Sequence, residues 1–218
     1  PNTRLETLIF TCSNLKKYVE IQNKQGVEFL TDDIVKNENY FFIQTKPSKY
    51  TGNSIGLIEW RKKNKSYLSK TGKYRKIEIK KPDFPFLSNI KQLDHCATRV
   101  KASERDKAII EFMKLTNYKF DFSIYVKNLN SITNVARLKK DAYAMVFTSG
   151  IKDFEDIDTS GPTEKFIHNY GTRVHHMAFH TENIDNTFNN LKNKGQEFLL
   201  ELVGSEEEGL KQTFTIPS

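Results

Sequence analysis

The chain has 218 residues, of which 37% are hydrophobic and 28% are charged, a composition typical of a globular protein. No run approaches the ~18 apolar residues of a membrane-spanning helix, and the amino end does not resemble a signal peptide. We therefore expect a cytoplasmic protein with no membrane partner. Cys12 and Cys96 are too few for a disulfide framework, so we expect both to be reduced thiols.

The net charge of +7 is concentrated between Arg61 and Lys81. In this segment, RKKNKSYLSKTGKYRKIEIKK, basic residues alternate with polar and aromatic ones. The pattern favours a solvated hairpin or an edge strand protected by lysines over a site for anions. The alternative, a nucleic-acid-binding protein, would bind with a steep dependence on salt. We expect no nucleic-acid partner.

The first elements along the chain are a strand, a helix and three further strands. Residues 5–12 alternate as a strand does, Ser13 or Asn14 is suited to cap the following helix, and Gly26 is suited to end it. Strands are then predicted at EFL (28–30), NYFFIQT (39–45) and SIGLIEW (54–60). The sequence therefore predicts a βαβββ module.

This module is repeated near the end of the chain. NKQGVEFL (23–30) reappears as NKGQEFL (193–199), and the same shift places Thr7 on His176. In the later copy the strand spans 174–181, and Thr181 or Asn183 is suited to cap the helix. The two copies indicate an internal duplication.

A looser copy lies between these two. It begins with the strand LDHCATRV (93–100), its helix opens at Ser103, and strands are predicted near 121–126, 131–138 and 142–148. Aligning the three copies places Thr7, His95 and His176 at one strand position. Histidine is the commonest metal ligand, and equivalent positions in paired modules approach one axis. We therefore predict that His95 and His176 bind one metal ion.

The other histidines fit that prediction less well. Successive residues of a strand point to opposite faces, so His175 should not share a cavity with His176. We expect His168 and His180 to be exposed. Replacing His175 by alanine should spare metal binding.

The motifs LDHCA (93–97), RVHHMAFHTENIDNTFNNLKNKGQEFLL (173–200) and GLKQTFTIPS (209–218) resemble the vicinal oxygen chelate superfamily. Within it the resemblance is to the 4-hydroxyphenylpyruvate dioxygenase and hydroxymandelate synthase group. It implies an α+β fold of βαβββ modules paired into curved mixed sheets. It also implies that residues 1–60 are a module of a non-catalytic amino-terminal domain without its partner module, 61–90 a basic linker or hairpin, and 91–218 a metal-binding domain of two modules, the last truncated.

The resemblance implies an Fe(II) enzyme whose metal is held by two histidines and one glutamate. Its substrates would be dioxygen and an aromatic 2-oxo acid, and its reaction an oxidative decarboxylation coupled to hydroxylation. His95 and His176 match the ligand motifs. The substrate-binding positions implied are Ser131, Thr148, His175, Gln212 and Phe214.

Two of these positions depart from the family pattern. Thr148 stands where the family has asparagine, and His175 stands where it has glutamine, so a changed substrate is an open alternative. We also expect a homo-oligomer. A non-catalytic protein that binds a small molecule on the same fold is the alternative function.

The third ligand of the family, a glutamate, lies on the last strand of the final module. In the first copy we take its counterpart to be Glu59 in SIGLIEW, which would place the ligand beyond residue 218. Three interpretations stay open. The protein continues past this sequence, a substitute acid completes the site, or the site binds no metal. The substitutes are Glu201 and residues Glu206 to Glu208.

Overall fold

A computed structural model describes residues 4–68, 70, 72–75, 77–127, 130–205, 207 and 210–216. The chain divides into two compact units. The first comprises Pro1–Lys76 and His95–Met177, and the second Ile77–Asp94 and Ala178–Ser218. This division follows the packing of the chain, whereas the predicted boundaries near residues 60 and 90 follow the repeat and stay a prediction.

The first module consists of β1 (Thr7–Thr11), α1 (Leu15–Lys24), β2 (Val35–Lys36), β3 (Tyr40–Gln44) and β4 (Ser54–Trp60). Its sheet has the order β1-β4-β3-β2, in which β1 is parallel to β4 and the other neighbours are antiparallel. The predicted strand at residues 28–30 is reduced to one bridge between Phe29 and Thr45. The module therefore has the predicted order of elements.

The remaining elements continue the pattern. They are a 3-10 helix (Pro85–Asn89), β5 (Ile90–Arg99), a second 3-10 helix (Ala102–Glu104), α2 (Arg105–Leu115), β6 (Lys119–Val126), β7 (Ser131–Arg137), β8 (Ala144–Gly150), α3 (Pro162–Tyr170), β9 (Arg173–Thr181), α4 (Ile184–Asn193), β10 (Val203–Ser205) and β11 (Leu210–Gln212). Strands β6-β7-β8-β5-β9 form a five-stranded sheet, and β10 pairs with β11. This arrangement of curved mixed sheets with helices confirms the predicted α+β fold.

Equivalent residues begin and end the helices of the first and last modules. The side chains of Asn14 and Asn183 each accept a hydrogen bond from the backbone N–H three residues later, at 2.9 and 3.0 Å. Gly26 and Gly195 follow the helices with φ values of 76° and 88°, a left-handed conformation that suits glycine. Of the alternative caps that the sequence leaves open, the asparagines are the ones used.

The first two modules share one hydrophobic core within the first unit. Phe112 on α2 is central, because its ring contacts those of Phe10, Tyr118 and Phe147 at centroid distances of 5.8, 5.0 and 5.7 Å. The Tyr18 hydroxyl on α1 donates to the carbonyl of the last residue of α2 at 2.9 Å. Buried residues from both modules complete this core: Leu15, Ile43, Ile55, Leu57, Cys96, Val100, Ala108, Ile109, Ala136 and Met145.

In its described residues, the basic segment after β4 forms neither the predicted hairpin nor an edge strand. Its described residues, 61–68, 70, 72–75 and 77–81, contain no strand and are mostly exposed. Instead the Tyr67 ring packs on Trp60 and Tyr40, at centroid distances of 5.0 and 6.2 Å. Alternation alone does not make a strand, because the backbone also needs a partner with which to pair.

Two further expectations concern the cysteines and the membrane. Cys12 and Cys96 are both free thiols, as predicted. In the part of the chain that the structure describes, no helix has both the length and the apolar character needed to cross a bilayer.

Candidate metal centre

The structure brings together the two histidines that the repeat aligns. His95 lies on β5 and His176 on β9, which are neighbours in the five-stranded sheet. Their Nε2 atoms are 3.3 Å apart, and the ring centroids are 5.4 Å apart with planes inclined at 77°. Both rings are half-buried. Each imidazole therefore directs the same ring nitrogen toward one point between the strands.

This separation fits two ligands of one metal ion. Nitrogens bound at 2.0–2.1 Å to one ion lie about 2.8 to 3.4 Å apart when the angle at the metal is between the octahedral and tetrahedral values. The observed 3.3 Å falls within that range. Among the described residues, no group of three histidines, cysteines or acids is placed to hold a metal. The identity of a third ligand stays a prediction.

The protonation of the site also suits a metal. Burial, with smaller contributions from the charges of His175, His95 and Arg99, lowers the pKa of His176 to about 3. Burial, with a smaller contribution from Arg99, lowers the pKa of His175 to about 4. The His175 and His176 rings are therefore neutral at pH 7, and neutral imidazole is the form that binds metals.

These shifts predict an acid-sensitive fold in the metal-free protein. The folded-state pKa values lie below the ordinary 6.5, so between about pH 6.5 and 3 the unfolded chain binds more protons than the folded one. The free energy of unfolding should therefore fall as the pH is lowered through this range. The loss should be below about 1.4 kcal/mol per pH unit for each ring, because partly exposed rings are screened by solvent.

Urea denaturation of the metal-free chain at pH 7 and pH 5 measures this effect. His176→Gln removes one of the two rings and should make the stability less dependent on pH. An equal loss of stability in both proteins would contradict the assignment of acid sensitivity to His176.

His175 lies closer to His176 than the alternation of a regular strand predicts. The Nδ1 atoms of the two rings are 2.7 Å apart. The expectation that the strand separates the two side chains is therefore wrong. β9 is the last strand in the order of its sheet. Within the described residues β9 has a neighbouring strand on one side only, so its side chains are free to bend around the edge. The Phe166 ring of α3 meets the His175 ring edge to face, at a centroid distance of 4.8 Å.

The face of the sheet that carries His95 has a floor of small residues. His95 and Ala97 pair with Ala144 and Val146 of β8, and side chains paired in this way point to one face. Ala97, Ala144 and Val146 form a small buried cluster with Val135 of β7. These side chains are small, and in the structure they are already buried, at 1% to 9% exposure.

Ser131 and Thr148 lie on this same face. Thr133 pairs with Thr148, and Ser131 pairs with the residue two places further along β8. The hydroxyl oxygens of Thr133 and Thr148 are 3.0 Å apart. The structure thus places His95, Ser131 and Thr148 on one face of the sheet, with Thr148 four residues along β8 from Ala144, the partner of His95.

A polar group that the sequence analysis missed closes one end of this face. Arg99, which pairs with Thr148 in the sheet, donates from Nη1 to the hydroxyl of Thr163 on α3. The neighbouring Glu164 is only 4% exposed, and a β-carbon at Gly150 would overlap its carboxylate. The spacing of Arg99 four residues after His95 puts both on one face of the strand, and that signal was available in the sequence.

The other predicted site residues lie in the second unit. Gln212 is on β11, and Phe214 follows it, half-buried, with its carbonyl accepting from the Leu199 N–H at 2.8 Å. Their roles in substrate binding stay predictions. Of the substitute acids, Glu201 forms an exposed ion pair with Lys192, whereas Glu206 and Glu208 lie outside the described residues.

Two histidines outside the pair lie on the surface, as predicted. His180 is exposed at the far end of β9. His168 is also exposed, and its ring stacks on that of Phe154 at a centroid distance of 3.9 Å.

The proposed counterpart of the third ligand, Glu59, is wrong. Thr7 pairs with Ser54, so the positions of β4 on the face of Thr7 are 54, 56, 58 and 60. Glu59 points to the opposite face. There its carboxylate accepts the backbone N–H of Leu15 at 2.6 Å, which satisfies an unpaired donor at the start of α1. Glu59 therefore caps a helix in the first module, and the position of a third ligand in the last module stays a prediction.

No protein-family model matches the sequence, and no curated protein matches it. Solved structures do match. A triple mutant of 4-hydroxymandelate synthase from Streptomyces coelicolor aligns with a TM-score of 0.62 and 14% identity, over 91% of this chain and 55% of that chain. Methylmalonyl-CoA epimerase from Mycobacterium tuberculosis aligns with a TM-score of 0.50 and 15% identity, over 59% of this chain and 81% of that chain. At these identities the likeness is one of fold, and the chain has the vicinal oxygen chelate fold that these enzymes share.

Proposed function

We propose that the protein is a non-haem Fe(II)-dependent dioxygenase that acts on an aromatic 2-oxo acid similar to 4-hydroxyphenylpyruvate. The observation that carries this proposal is the 3.3 Å separation of the Nε2 atoms of His95 and His176. The motif resemblance and the fold support the same class of reaction. In that reaction one oxygen atom of O2 enters the new carboxylate, the other enters a hydroxyl group, and CO2 is released.

His95 and His176 would hold the iron through Nε2. When bound, Fe(II) supplies coordination positions for the 2-oxo acid and for dioxygen, in the manner of two-histidine, one-carboxylate centres. The residues of the chain bind and orient these partners. Half-burial of the two rings limits the access of water and keeps His176 neutral at pH 7.

The aromatic part of the substrate would lie on the small-residue floor of Ala97, Ala144 and Val146. The hydroxyls of Ser131 and Thr148 would contact its polar substituent. An asparagine would offer a carbonyl acceptor and a separate NH2 donor, whereas Thr148 offers a single hydroxyl that already contacts the Thr133 hydroxyl at 3.0 Å. Selectivity for a phenol hydroxyl should therefore be weaker than in the resembled group. For Gln212 and Phe214 we propose substrate binding on the motif resemblance alone.

The proposal is tested by oxygen uptake. The full chain, loaded anaerobically with Fe(II), is mixed with 4-hydroxyphenylpyruvate or phenylpyruvate in air-saturated buffer, and O2 consumption and CO2 release are recorded together. We expect equal amounts of the two gases and no turnover by His176→Ala. Binding of the 2-oxo acid that depends on metal but consumes no oxygen would contradict the dioxygenase and favour the alternative, a non-catalytic binding protein.

A further inference from the structure

The second nitrogen of His176 has a defined neighbour. If Nε2 of His176 faces the metal shared with His95, then Nδ1 is the ring nitrogen left to make a hydrogen bond. It lies 2.7 Å from Nδ1 of His175. We propose that His175 is a positioning residue, which holds the His176 ring by accepting a hydrogen bond from its Nδ1–H. The inference rests on the metal centre of the proposed function.

Only one pair of tautomers satisfies both contacts. A neutral imidazole that binds metal through Nε2 carries its proton on Nδ1. The facing Nδ1 of His175 must then be unprotonated, so the proton of His175 is on Nε2. The His175 contact therefore selects the tautomer of His176 that presents a lone pair to the metal.

The His175 ring is itself held in place. The Phe166 ring packs against it edge to face, with planes inclined at 77°. Phe166 belongs to α3, and α3 is anchored to the sheet by the bond from Arg99 to Thr163 and by the buried Glu164 over Gly150. A fixed acceptor is what an outer partner of a metal-binding histidine requires, because such partners set ring orientation and ligand basicity.

This role differs from the substrate contact that the family resemblance implies for His175. A substrate contact would need the ring to face the small-residue floor, whereas its Nδ1 faces His176. Replacement of His175 should therefore weaken metal binding without abolishing it, and this replaces the expectation from strand alternation that metal binding would be spared. Removal of an outer partner typically costs about 10- to 100-fold in metal affinity.

The test compares His175→Leu with His175→Asn in the full chain, with Co²⁺ as the probe. Asparagine branches at Cγ as histidine does, so its Oδ1 takes the place of Nδ1 and is able to accept the same hydrogen bond. We expect the Co²⁺ dissociation constant to rise about 10- to 100-fold in His175→Leu and to stay within about threefold of wild type in His175→Asn. Thermal unfolding of the metal-free variants controls for loss of fold.

Nitrogen chemical shifts give a second readout that does not depend on affinity. In the wild-type protein they should report a proton on Nδ1 of His176 and on Nε2 of His175. Equal Co²⁺ affinity in wild type and His175→Leu, or the reversed tautomers, would overturn the positioning role alone. Absence of Co²⁺ binding by the wild-type chain would instead overturn the metal centre and with it the proposed function.

Discussion

Replacing His95 or His176 by alanine should lower the affinity of the full chain for Fe(II) by more than about 100-fold. Loss of an outer partner alone costs about 10- to 100-fold, and loss of a direct ligand removes a metal bond as well. The two Nε2 atoms are 3.3 Å apart, so both imidazoles would bind the same ion. If one is removed, water fills most of the coordination positions, and the remaining imidazole holds the ion only weakly. Anaerobic titration with Fe(II), followed by metal analysis of the desalted protein, measures the effect.

His180→Ala is the matched control for this experiment. His180 lies on the same strand as His176, but it is exposed, so its loss should leave iron binding unchanged. Full iron occupancy in the His176 variant would show that the ion binds elsewhere.

Phe112→Ala should destabilise the first compact unit by about 3 to 5 kcal/mol, the range for truncating a large buried aromatic side chain. The Phe112 ring is 4% exposed and contacts three other aromatic rings, from both modules. The Phe112 side chain also lines a cavity of about 450 Å³, so its truncation removes the aromatic contacts and enlarges an existing void. Urea denaturation of the full chain, followed by tryptophan fluorescence, gives the change in the free energy of unfolding.

Ile110→Ala provides a control on the same helix. Its side chain is 45% exposed, so the change in stability should stay within about 0.5 kcal/mol. The fluorescence comes from Trp60, on the first module, although the substitution is on the second. A Trp60 transition unchanged by Phe112→Ala would contradict a shared core and mean that the modules unfold independently.

Much of the fold follows from local patterns. Runs of aromatic and β-branched residues, such as residues 39–45, form strands where predicted, and β3 spans Tyr40–Gln44. Asn14 and Gly26 take their predicted places since capping depends on residues close in sequence. The prediction of a hairpin or edge strand within residues 61–81 fails for the converse reason. The segment alternates, but pairing depends on a distant strand, and local sequence carries no information about whether that strand is available.

The contacts of the site likewise fall into those that the sequence predicts and those that it does not. The repeat predicts the approach of His95 and His176, because equivalent positions in similar modules occupy equivalent places. The contacts of Phe166 with His175, and of Arg99 with Thr163, join segments that no repeat relates. The pairing of Thr7 with Ser54 places every second residue from Ser54 on the face of Thr7, and Glu59 is not among them. Sequence alone does not show this pairing, so it cannot exclude Glu59 as the counterpart of a metal ligand.

The core shared by the first two modules bears on how a duplicated protein changes over time. The first copy has Thr7 where the other copies have histidine, and the Thr7 hydroxyl accepts a hydrogen bond from Gln44 at 2.9 Å. A copy that has lost its ligand would ordinarily be dispensable. Here its helix and strands cover the apolar face of α2, so deleting it would expose that face to water. Selection for solubility alone is therefore enough to keep this module, independently of any ligand at the position of Thr7.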